Sequence, residues 1–286
     1  MAERGIPPLI VQKVSNHGVD NPIVARLALQ TIELAQWLDV DKATKEEIFG
    51  RYLELQRRLL QCHEYHARLI ASRAEALKET NEVLARGEYT VPAIMNLQAE
   101  VEGLLFAIKL FLRDVAITMN VLFENARLSE EAAVFWNSRG EKSAAQKWAE
   151  KTFGLNHHLT TSLSGDANWI SELVKKRNAV EHPGGNSGAL KIEDFAQGPS
   201  RGLYIPPAWY RVRNDDTLPK TDLYRDLDVA LDNLLSFAEE MLIHAINARP
   251  MTTAIGFREL SPDLRNPDAP IRFIAVMATD PQSVDK

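Results

Sequence analysis

Apolar positions along this chain recur mainly at helical spacing. Across residues 46–84 the apolar or small side chains are Ile48, Tyr52, Leu55, Leu59, Cys62, His66, Leu69 and Leu77. The early steps alternate four and three, which is a helix-packing seam. A helix of that length spans about 57 Å at 1.5 Å per residue. Gly87 ends it, and Pro92 opens a second long helix to about residue 128. Its main stripe runs through Ile94, Leu97, Val101, Leu104, Ile108, Leu112, Val115, Met119 and Leu122. Leu105, Leu110, Ile117 and Val121 add a second stripe, so neighbours must enclose this helix.

Shorter elements flank the pair. The first 20 residues are punctuated by Pro and Gly and read as an arm, and Asn21-Pro22 starts a short helix to about residue 38. Ser129-Glu130-Glu131 caps a short helix, and another covers residues 142–153. After the polar stretch 156–165, Asp166 caps a helix through Trp169, Ile170, Leu173 and Val174, which stops at Pro183-Gly184-Gly185. Leu190-Lys191-Ile192 and Leu203-Tyr204-Ile205 flank a Gly/Pro/Ser turn and predict a small β-hairpin within residues 186–214. Thr221 caps a last amphipathic helix, with Leu227, Leu231, Leu234, Ala238, Met241 and Ala245 inward, ending before Pro250. Residues 250–286 hold five prolines and two strand-like runs, 252–257 and 271–277, and the pattern leaves open whether they dock.

The expected fold is all-α: an antiparallel helical bundle on two very long helices, with the hairpin inserted before the last helix. The domain reading is an arm and short helix at 1–45, a helical domain at 46–248 and a Pro-rich tail at 249–286. There is no repeat at a solenoid period.

Composition narrows the class. The 286 residues are 45% hydrophobic and 25% charged, which excludes a disordered or fibrous chain. A net charge of −6 argues against a protein that coats nucleic acid over its whole surface, though not against a local basic patch. The single cysteine, Cys62, has no disulfide partner and cannot build a thiolate zinc site alone. The first residues lack a basic start followed by an apolar core, and the apolar run 115–123 is too short to cross a bilayer. The expectation is a soluble, cytoplasmic protein with no membrane association.

The informative stretch is Lys175-Lys176-Arg177-Asn178-Ala179-Val180-Glu181-His182-Pro183-Gly184-Gly185. Arg177 falls four after Leu173 and seven after Ile170, so it projects from the apolar face of its helix. An inward guanidinium needs a partner or an anion, because burying an unpaired charge is strongly unfavourable. Asn178 and His182, four apart, share a face, and His182 closes the helix where the dipole favours imidazolium. An imidazole, a fixed cation and an amide at one helix end suit a phosphodiester: His182 to move a proton, Arg177 to hold phosphate charge, Asn178 to orient either. The plainer reading is an Arg177–Glu181 ion pair with His182 as a helix cap.

Arg177, the polar Asn178 directly after it and His182 five positions on, closing a helix in a helical bundle, resemble the HEPN superfamily. Its pattern is Arg, four to six residues, then His. The run "RNAVEHPGG" followed by "SGALKIEDF" resembles uncharacterised bacterial members, over about residues 46–248. The resemblance implies a metal-independent endoribonuclease without a cofactor, of a toxin–antitoxin or antiviral defence kind. It also implies a homodimer that brings two motifs together, RNA as substrate, and a protein partner or antitoxin. Many such proteins are instead non-catalytic interaction modules. The AMP-accepting variant carries Tyr two after the His, where this chain has Gly184. A bare Arg-to-His spacing arises by chance about once or twice in such a composition. Arg58 and His63 fit it too, inside a long helix.

Other groups carry weaker signals. Lys175 and Lys176 precede the motif, and Asp114 could meet Arg177 where helices cross or, like Lys109, simply face solvent. Arg201, Arg211, Arg213, Lys220 and Arg225 interleave with Tyr204, Trp209 and Tyr210, which would suit stacking and phosphate contact with single-stranded RNA, or else packing on the bundle. Cys62, His63 and His66 resemble a metal cluster, but Cys62 and His66 lie on the packing seam, so no metal site is expected. His157 and His158 are adjacent and diverge on a helix. There is no phosphate-binding Gly loop, HExxH pair or GxSxG elbow.

Overall fold

The computed structural model describes residues 16–136, 141–200, 202–214 and 216–278. Asn21 caps the first helix by accepting from Ile23 N–H at 2.9 Å. That helix runs as α1 (Pro22–Val24), a π-helical segment (Ala25–Leu29) and α2 (Gln30–Ala35). Asp41 then caps α3 (Lys42–Ala85), a helix of 44 residues, through Thr44 N–H. Its seam is the expected one: Ile48, Tyr52, Leu55, Leu59, Cys62 and Leu69 are buried.

α3 packs along α4 (Leu97–Leu122), which is shorter at both ends than the sequence pattern predicts. At the start, the Ile94 N–H donates to Asp194 Oδ2 at 2.6 Å instead of entering a helical turn, and Asn96 takes the left-handed conformation at φ 60°. At the end, the Asn120 amide pairs with both the N–H and the carbonyl of Leu128, folding the chain back on itself. Ser129-Glu130-Glu131 leads into only a short 3-10 turn, Ala132–Phe135.

A capping box of Ser143 and Gln146 opens α5 (Ala144–Phe153). α6 (His158–Glu181) starts eight residues before the expected cap, Asp166, because the His157 ring accepts from Leu159 N–H. Asp166 sits inside the helix and accepts from Trp169 Nε1 at 2.8 Å.

The all-α expectation is overturned. The chain is 59% helical with 14% strand in three small sheets, a mixed α/β structure whose helical bundle keeps the long helices. β1 (Ala189–Glu193) pairs antiparallel with β4 (Ala208–Arg213), which also pairs with β5 (Asp216–Thr217) and β6 (Thr221–Asp222). The run expected to partner β1 is β3 (Tyr204–Ile205), which pairs with β2 (Ala196–Gln197) instead. The alternation along β4 explains the choice, since it turns Trp209 and Arg211 inward while Leu203 and Ile205 stay exposed.

Asp222, not Thr221, caps α7 (Leu223–Ala248), whose inward face is the predicted one. β7 (Ile255–Glu259) and β8 (Phe273–Met277) form an antiparallel hairpin that docks on the bundle: Phe273 is buried, and Gln30 Oε1 accepts from the backbone N–H of Arg272 and Phe273 at 2.7 Å each.

Candidate functional site

The last turn of α6 places Arg177 on the face of the buried Ile170 and Leu173, and only 7% of the residue is exposed. Its Nη1 donates to Asn178 Oδ1 at 3.0 Å and forms an ion pair with the Glu181 carboxylate. The guanidinium lies 5.3 Å from the centre of the Phe106 ring, and its Nε is buried without a hydrogen-bond partner. Burial weakens the guanidinium's hold on its proton and Glu181 opposes this.

His182 is the C-cap, and its backbone N–H donates to the Asn178 carbonyl at 2.9 Å. Its side chain is 71% exposed, with Nε2 3.4 Å from Glu181 Oε2, the oxygen that pairs with Arg177. The exit from the helix is a tight turn in which Gly185 N–H donates to the His182 carbonyl and Gly184 N–H to that of Gly188. Gly188 has φ +78°, and a Cβ there would stand 2.1 Å from the Val212 carbonyl oxygen. Gly188→Ala is therefore expected to destabilise the protein by about 2 kcal/mol, the cost of a left-handed L-residue plus the clash. A urea midpoint unchanged from wild type would contradict this.

Arg177 and Asn178 line a cavity of 410 Å³ between α4, α6 and the 3-10 turn, but His182 does not. The three groups expected to act together at one helix end are thus divided: Arg177 and Asn178 line the cavity, and the His182 imidazole stands outside it against Glu181. Lys109, Arg113, Trp136 and the exposed Glu130 and Glu131 supply the rest of the polar wall. Lys109 and Arg113 are one helical turn apart, a spacing that could have flagged them as one cationic face. Trp136 follows a 3-10 turn and carries no periodic signal.

The remaining sequence candidates fall elsewhere. Asp114 pairs with Arg58 (3.1 Å) and Arg113 (2.8 Å) and does not meet Arg177. This also commits Arg58, the alternative start of the motif. Lys175 pairs with Glu172 at 2.8 Å. Lys176 lies 4.1 Å from the centre of the Trp209 ring and 3.3 Å from Asp226; burial pulls its pKa down and Asp226 opposes this.

Trp209 is 0% exposed and donates from Nε1 to Asp226 at 2.7 Å, so it offers no face to a nucleic-acid base. Arg211 is buried as well, donating to the Ser187 carbonyl and to Glu172. These two are core residues because β4 alternates, and the tryptophan fills the space beneath the sheet. Tyr210 donates to Glu193 at 2.8 Å with Lys220 over its ring. Arg213 and Arg225 are exposed, while Arg201 lies outside the described residues.

Cys62 is buried, and burial pushes its thiol up to about 12. Among the described residues no group of three or more His, Cys, Asp or Glu could hold a metal ion, and no helix is long and apolar enough to cross a membrane.

No protein-family profile, no curated protein and no solved structure matches this chain. The HEPN resemblance therefore rests on the residues quoted for it, 177–185 and 187–195, and on their setting at a helix end in a helical bundle.

Proposed function

We propose that this chain is a HEPN-like, metal-independent endoribonuclease of the cytoplasm that acts as a homodimer, in the manner of a toxin or antiviral defence effector held in check by a partner. One observation supports the reading above others: the Arg177 guanidinium and the His182 imidazole, five positions apart, approach the same Glu181 oxygen. Two groups that converge on one carboxylate oxygen can also converge on a phosphate oxygen. In the reaction, Arg177, held by Asn178, fixes the phosphate and stabilises the charge that builds on it. His182 takes the proton of the adjacent 2′-hydroxyl as that oxygen attacks phosphorus, and imidazole suits this at neutral pH. The 5′-oxygen leaves and acquires a proton from water, giving a 2′,3′-cyclic phosphate end.

The test is incubation of the purified protein with total RNA in EDTA. Wild type is expected to cleave, and His182→Ala to be slower by about 100-fold. Absence of cleavage, or equal cleavage by both, would remove the catalytic reading.

A second reading, a non-catalytic HEPN-fold interaction protein, draws on the near-complete burial of Arg177 in contact with Glu181 and Asn178. It predicts that Arg177→Ala weakens folding or self-association and leaves RNA untouched.

A further inference from the structure

Under the reaction proposed above, the Arg177 guanidinium and the His182 imidazole meet on an oxygen of the scissile phosphate. In the structure that place is taken. Glu181 Oε2 pairs with Arg177 Nη1 and lies 3.4 Å from His182 Nε2. A carboxylate and a phosphodiester offer these groups the same thing, an anionic oxygen that accepts charge-assisted hydrogen bonds. Both cannot be held there at once, since two anions at one spot repel each other.

The burial of Arg177 explains why the place is filled. A guanidinium this deeply buried is costly without an ionic partner, so the site exchanges one anion for another rather than standing empty. Glu181 is suited to leaving. It is the last residue of α6 and is exposed, so its side chain can turn into water while the helical hydrogen bonds stay in place. Asn178, whose Oδ1 accepts from Arg177 Nη1 at 3.0 Å, keeps hold of the guanidinium meanwhile.

We infer that Glu181 is an autoinhibitory residue, whose carboxylate occupies the position of the substrate phosphate and swings out before RNA is gripped. This inference rests on the RNA reading above and adds regulation to it. The chain carries in its own motif an internal competitor that sets how much RNA is needed before cutting begins.

Fluorescence anisotropy with a short 2′-O-methyl RNA tests it, because that probe has no 2′-hydroxyl proton to give up and is bound without being cut. At one salt concentration, Glu181→Gln is expected to bind about tenfold tighter than wild type. Glutamine leaves the guanidinium a neutral acceptor but no charge that rivals a phosphate. Glu131→Gln removes the same charge from an exposed position on the wall of the neighbouring cavity and should not reproduce the gain. With cleavable RNA, the advantage of Glu181→Gln should lie in KM and leave kcat near wild type, which separates a displaced competitor from a damaged site. Wild-type affinity in Glu181→Gln, or an equal gain in Glu131→Gln, would overturn the inference. Should Glu181→Gln fail to fold, Glu181→Asp takes its place: the carboxylate stands one methylene further back, so binding should again tighten, and wild-type affinity would again overturn the inference. Cleavage by wild type with no gain in the Glu181 variants would overturn the internal competitor and spare the nuclease. A gain in binding without any cleavage would support the competitor and remove the nuclease. No binding by any of these proteins would remove both.

Discussion

Replacing Glu239 with alanine is expected to lower the stability of the protein by about 3–5 kcal/mol, the range for removing one partner of a buried ion pair. Glu239 lies on α7 and is 1% exposed. Arg26 grips its carboxylate with Nε (2.8 Å) and Nη2, Gln30 donates to it at 3.2 Å, and Arg272 Nη1 donates at 2.8 Å. Arg26 sits in the π-helical segment and Gln30 opens α2, four residues on, so both reach the same carboxylate. Arg272 comes from the chain just before β8 and is also held by Glu240 and Glu259, which raise its pKa further against the effect of burial.

One carboxylate therefore joins the first helix, the last helix and the C-terminal hairpin. Its loss would leave the buried Arg26 without its ionic partner and Arg272 without one of its three carboxylates. Urea denaturation measures the cost, and limited proteolysis should find residues 250–278 cut first in the variant. A loss under 1 kcal/mol with unchanged proteolysis would show that the hairpin is held by apolar packing instead. Glu240→Ala, which leaves Glu239 in place, is the matched control.

The second large effect is expected in acid. His244 on α7 has both ring nitrogens buried without hydrogen-bond partners, and burial first, then the neighbouring His157 and His158, lowers its pKa to about 4. A histidine in the unfolded chain titrates near 6.5. Between these values the unfolded state binds the proton and the folded state does not, so stability falls as pH drops from about 6.5 to 4. The loss from His244 at pH 4 is on the order of 3 kcal/mol. His63 and His66 are shifted the same way, chiefly by burial. Asp166 and Glu240, whose carboxyls burial pushes up, work against this trend around their own titration.

The variant His244→Leu isolates the effect. It should match wild type at pH 7 and exceed it by on the order of 2 kcal/mol at pH 4.5, read from urea curves at the two pH values. Parallel pH profiles would mean that the imidazole is solvated in the folded protein.

Local chemistry explains what could be read from sequence. The seam from Ile48 to Leu69 and the inward face of α7 follow from 3.6-residue periodicity, and both are buried as expected. The grouping of Arg177, Asn178, Glu181 and His182 is likewise a property of one helical turn, and the contacts of Arg177 with Asn178 and Glu181 lie within it. The start of α4 has another cause, a side chain distant from the pattern being read, whereas the starts of α6 and α7 and the end of α4 turn on nearby side chains of His157, Asp222 and Asn120. Asp194 draws Ile94 out of α4 across 100 positions. Leu203 and Ile205 are as apolar as a buried strand and so predict the β1 pairing, yet β1 pairs with β4 and the position beneath the sheet goes to Trp209.

By itself the sequence determined the buried seam of α3, the inward face of α7, and that a cation, an amide, a carboxylate and an imidazole crowd the end of one helix. These are interactions between residues a few positions apart, set before the chain collapses. Only the tertiary structure decided that Arg177 faces a cavity while His182 stands outside it, that Lys109, Arg113 and Trp136 form the opposite wall, and that Arg26, Glu239 and Arg272 meet. Those arrangements depend on where whole helices cross, and the crossing is settled by packing of apolar surfaces distributed over the chain, which no short stretch encodes.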